Sequence, residues 1–136
     1  MGARTKSRKR ALDILFEADQ RGVNVQGLLL ERLARPMAQT ALPEYAVTLV
    51  EGVVRTWSEI NDLLATYSQG WTVERMPAVD RAILRLATWE LLHSDEVPEA
   101  VTISEAVALA KDLSTDDSPA FINGLLGRIA EIRHTL

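Results

Sequence analysis

Cysteine is absent from the 136-residue sequence, and aromatic residues make up only 5% of it. Without a thiol there is no disulfide, no thiolate nucleophile and no cysteine-based zinc site, which is compatible with a reducing cytoplasm. Histidine is nearly missing too: His93 and His134 stand 41 positions apart, too few and too distant to suggest a metal site. No glycine-rich phosphate loop, no GxSxG and no dinucleotide fingerprint occurs. The longest apolar runs are as short as Leu28-Leu29-Leu30, far below the ~20 residues that span a bilayer. The basic start does not continue into a signal peptide, because Asp13, Glu17 and Asp19 interrupt the segment where an apolar region would have to lie. These absences argue for a cytoplasmic protein with no membrane partner, and against an enzyme, a metal site or a bound cofactor.

What the sequence does contain is 47% hydrophobic and 25% charged residues, the balance of one globular domain that buries roughly two thirds of its unfolded surface. Its charge is unevenly distributed. Residues 1–10 hold Arg4, Lys6, Arg8, Lys9 and Arg10 with no acid, while the remaining ten cations face nineteen acids and carry a net −9. A basic arm on an acidic body can grip a polyanion at one place and repel it elsewhere.

Hydrophobic residues recur with helical spacing throughout, and no strand-like alternation of useful length appears, so the chain is expected to be all-α. A first helix is expected over about 5–20, with Gly22 as its stop. Asn24 caps a short helix that ends before Pro36. A long helical stretch runs from Pro43 to about Gln69, with Trp57 and Tyr67 on its inner face and a bend near Trp57-Ser58. Residues 70–77 form a connection and a candidate subdomain seam. A helix follows from Pro77 to about His93. Thr102 and Glu105 have the spacing of a capping box. Ser118 and Pro119 start a last helical region, either one helix or two joined at Gly127. Ala120, Gly124 and Gly127 form a side-chain-poor stripe suited to close helix packing.

The acid pairs Asp95-Glu96 and Asp116-Asp117 precede helical starts, where carboxylates favour the dipole. No inner helix is rich enough in Arg, Asn or Gln to read duplex DNA, whereas single-stranded RNA needs only a cationic track and an aromatic on which a base can stack. Phe121, near Asp117 and Asn123, is a candidate for that aromatic if it lies beside the arm. Its residue type and phase by themselves favour a core position over a stacking platform.

Five blocks carry a resemblance. They are Arg8-Lys9-Arg10-Ala11-Leu12-Asp13-Ile14-Leu15-Phe16-Glu17; Pro77 to Arg85 with Trp89-Glu90-Leu91; Val97-Pro98; Ile103 to Val107 with Ala110-Lys111; and Asp117 to Leu126. In this order the chain resembles the NusB family of bacterial transcription antitermination factors over nearly its whole length. The resemblance implies one domain of about seven helices in two small bundles. It implies binding of boxA RNA together with the small-subunit ribosomal protein NusE, within the antitermination complex of RNA polymerase, notably on ribosomal RNA operons. Homodimers are also implied. By position, Arg4, Lys6, Arg8, Lys9 and Arg10 correspond to the RNA-binding arm, Phe16 to an aromatic near both RNA and NusE, and Asp80 to a NusE contact. Arg85, Asp117 and Phe121 correspond to RNA contacts. The Thr5-Lys6-Ser7 stretch and the Pro119-Ala120 pair depart from the family pattern. Other readings are a NusB-like targeting domain of a ribosomal RNA methyltransferase and a protein-only adaptor.

Overall fold

A computed structural model describes residues 2–35 and 41–135, in which seven α-helices and one short 3₁₀ turn follow one another. Helix α1 spans Ala3–Arg21 and stops at Gly22, whose φ of 65° lets the Val23 amide return to the Ala18 carbonyl and the Gly22 amide to Asp19. Helix α2, Val25–Ala34, begins at Asn24, whose Oδ1 accepts from the Gly27 amide at 2.9 Å. The expected bend in the long stretch is a full break at Thr56, which separates α3, Glu44–Arg55, from α4, Trp57–Tyr67. The turn Val73–Arg75 then leads to α5, Ala78–His93.

Helix α6 is Glu99–Leu113, opening after Pro98, and this corrects the capping box: Thr102 lies inside the helix, buried, rather than at its start. Glu105 is free of that role and accepts from the Thr5 hydroxyl at 2.6 Å. Helix α7 is a single helix, Ser118–Arg133, running through Gly127. Ser118 sits at its first position, and its Oγ accepts from the Thr115 amide rather than capping α7.

Helices α1, α2 and α3 pack on one another, α5, α6 and α7 do likewise, and α5 touches α1 and α3 as well, so its buried stripe belongs to both groups. Ile83, Leu84, Leu86, Ala87 and Leu91 of α5 join Leu12 and Leu15 of α1, Leu49 and Val53 of α3, and Leu125 and Ile129 of α7 in one core. Close approach occurs at Gly52. A Cβ there would stand 2.2 Å from the Trp89 ring, so α3 can meet α5 only with glycine at this point. The stripe expected to pack closely does not: a Cβ at Gly127 would meet nothing within 4 Å, and one at Gly124 only the Arg128 guanidinium at 3.4 Å. Trp57, expected on the inner face, is 37% exposed, because the break at Thr56 rotates α4 out of phase with α3.

Candidate nucleic-acid interface

The arm is helical from Ala3 onward, so its cations are distributed around a helix rather than along a flexible tail. Arg4, Lys6 and Lys9 point to solvent and Arg10 is half-buried. Arg4 is not idle there. Its guanidinium lies 5.0 Å from the Tyr45 ring centroid and donates to Glu96 at 2.7 Å. That pair is exposed and contributes little to stability.

Arg8 turns the other way. Its side chain is 6% exposed, and its Nε and one terminal nitrogen donate to the two Glu90 carboxylate oxygens at 3.0 Å each, with Glu105 at 3.4 Å from the other. The Tyr45 hydroxyl donates to the same Glu90 carboxylate. Burial alone would lower the Arg8 pKa, but the hydrogen bond and charge of Glu90 outweigh it and raise it. The expectation that Arg8 contacts RNA is therefore corrected: the side chain is an internal strut tying α1 to α5. The signal was present in the sequence, since Arg8 is in helical phase with Ala11, Leu12 and Leu15, all buried.

Asp80 is corrected for the same reason. It is 0% exposed, accepts from the Ser114 hydroxyl, and joins the first turn of α5 to the Ser114, Thr115 and Ser118 hydroxyls at the α6–α7 junction. It cannot meet a partner's side chain without opening that junction. Its phase with Ile83, Leu84 and Ala87 places it on the buried stripe of α5.

Phe16 and Phe121 are partly buried against the core, and Phe121 meets Trp71 edge to face at 4.7 Å between centroids. Asp117 is exposed one turn before Phe121. Arg8 bonds Glu90 near the end of α5, whereas the α7 start is tied to Asp80 at its beginning, ten residues away. At 1.5 Å per residue the two places are roughly 15 Å apart. The pairing of Asp19 with Arg81 at 2.8 Å shows α1 running antiparallel to α5, which carries Phe16 toward the Phe121 end. Arg8 and the start of α7 are thus tied to opposite ends of α5, and Phe16 lies on α1 between the Arg8 and Asp19 contacts.

Arg85 faces α4. Its guanidinium lies 4.3 Å from the Trp57 ring centroid, and its Nε donates to the Asn61 side-chain oxygen at 3.0 Å. His93 pairs with Glu59 at 3.1 Å, a contact between α5 and α4 rather than the helix-end cap its position suggests.

The profile of the NusB family matches residues 5–131. The chain is 54% identical to the transcription antitermination protein NusB of Beutenbergia cavernae, an alignment covering 100% of this chain and 94% of that one. Its fold is similar to that of T. maritima NusB, with a TM-score of 0.82, 34% identity and 99% of both chains covered. It is also similar to a chain in the crystal structure of antitermination factors NusB and NusE in complex with dsRNA, with a TM-score of 0.80, 27% identity, and 94% of this chain and 96% of that one covered.

Proposed function

The chain belongs to the NusB family, and from that membership we propose that it is a transcription antitermination factor. It binds boxA RNA together with NusE and promotes read-through by RNA polymerase, notably on ribosomal RNA operons. The observation that carries this reading is the full-length likeness to transcription antitermination proteins NusB, and to a chain solved in a complex of NusB and NusE with dsRNA. The charge layout supports it: cations at one end of an acidic body favour a polyanion there and disfavour non-specific coating elsewhere.

In this reading Arg4, Lys6, Lys9 and Arg10 meet phosphates, and Arg8 holds the helix that presents them. Phe121, with Asp117 one turn before it, offers an aromatic edge and a hydrogen-bond acceptor to an unstacked base. Phe16 lies on α1 between the Arg8 and Asp19 contacts with α5, near where NusE would join. A single strand then passes from the arm cations to Phe121.

The test mixes the protein with NusE and a boxA oligonucleotide and follows mass by light scattering. A ternary complex that is lost when the boxA sequence is scrambled is the expected result. Equal binding of both sequences, or none, overturns the reading.

A further inference from the structure

Arg81 and Arg85 lie one turn apart on α5 and are used very differently. Arg81 donates twice to Asp19 and also to the carbonyls of Val73 at 3.1 Å and Met76 at 2.9 Å, so its charge and its donors are spent. Arg85 donates only from Nε, to the neutral Asn61 side chain, and its terminal amino groups hydrogen-bond to nothing among the described residues. Burial, with Arg81 adding to it and Asp19 opposing, holds its pKa below the usual arginine range. A desolvated cation without an ionic bond is costly to maintain, and here it borders an open cleft.

That cleft, about 440 Å³, lies between the end of α1, the start of α2 and the α3–α4 corner. Its walls are largely apolar, with Leu15, Val23, Val25, Val54 and Trp57 around Arg85. Val23 is 40% exposed and Trp57 37%, so the apolar wall reaches the surface. The volume is that of an ordinary ligand or side-chain pocket.

We propose that this cleft docks a protein segment that sets a carboxylate beside an apolar side chain. The carboxylate takes the terminal amino groups of Arg85, and the apolar group packs on Val25, Val54 and Trp57. Stacking on Trp57 holds the guanidinium plane, which suits a two-pronged hydrogen bond to a carboxylate. Charge selects a protein over RNA. Asp19 lines the cleft, and Asp62 and Glu74 line the adjoining groove on the far side of Arg85. A strand with a phosphate at every residue meets those acids in turn, whereas one carboxylate matches the single cation lining this cleft. The inference uses none of the arm, Phe16 or Phe121, and it moves Arg85 from the RNA contacts that the family resemblance implies to a protein partner.

The test uses two probes, the peptides acetyl-Leu-Asp-Phe-amide and acetyl-Leu-Asn-Phe-amide, titrated into the ¹⁵N-labelled full chain. The Arg85 Nε–H and Trp57 indole signals are followed. The acidic peptide is expected to shift both and to bind at least about tenfold more tightly than its amide counterpart, the scale of a charge-assisted hydrogen bond. Arg85→Gln is expected to erase that preference, with circular dichroism confirming the helices. Trp57→Leu, which keeps the guanidinium, should weaken both peptides. Equal affinity for the two peptides overturns the proposal. So does a boxA oligonucleotide that moves the same signals, or movement with protein concentration alone, which would make a second copy the occupant.

Discussion

Tyr45 shows how one residue connects the arm to the core. Its hydroxyl donates to Glu90, which also holds Arg8, and its ring lies under Arg4. Burial is the main cause that pushes its pKa from 10.0 to about 12, and the hydrogen bond and charge of Glu90 add to it. The folded state therefore keeps a phenolic proton that the unfolded chain releases more readily. This contribution is fully present below pH 10 and is lost as pH rises from 10 to about 12. In urea titrations across that range, wild type should lose stability faster than Tyr45→Phe, so the gap between them narrows. A gap that stays constant would contradict this. The residue scale is also where sequence reading was least complete. Arg8 and Asp80 sit in phase with buried neighbours, but the expectation for Asp80 came from its family position, and that for Arg8 from its charge and its family position.

At the level of elements, two glycines make opposite predictions. Gly52 lies in α3 where Trp89 of α5 fills the space a Cβ would need, at 2.2 Å, so Gly52→Ala forces a rigid ring or a helix to move. It should destabilise by about 1–3 kcal/mol or more. Gly127 lies in α7 with nothing within 4 Å of its added Cβ, and Gly127→Ala should stabilise by about 0.5–1 kcal/mol. Thermal unfolding of the two variants checks both signs. Most helix positions, the Gly22 stop, the Asn24 cap and a bend near Trp57-Ser58 were legible because each depends on residues within a turn or two, though the bend proved a full break at Thr56. The false capping box at Thr102 has the right spacing but the wrong context, since Pro98 lets α6 begin at Glu99.

Over the whole molecule, the withdrawal of Arg8 leaves four arm cations for RNA in place of five. If each neutralised one phosphate of a single strand, log affinity against log salt would slope by about −2.8 rather than −3.5. Arg8→Met should leave that slope unchanged while costing roughly 3–5 kcal/mol of stability, because it strands Glu90 in the interior. Lys6→Ala with Lys9→Ala should flatten the slope and spare stability. Fluorescence anisotropy with a boxA oligonucleotide over a KCl series, at a temperature where every variant is folded, measures the first effect, and denaturant unfolding the second. An Arg8→Met slope that drops by one contact would return Arg8 to the RNA surface.

By itself the sequence determined the all-α class, most helix limits, the basic arm on an acidic body and the family, since each is written in local spacing or in the order of short blocks. The tertiary structure decided which charges face water. Arg8 meets Glu90 across 82 positions, and Asp80 meets Ser114 across 34. No local rule pairs residues that far apart. Charges of one type become strut, surface contact or unspent donor according to what the packing of α1, α4 and α6 on α5 sets opposite them.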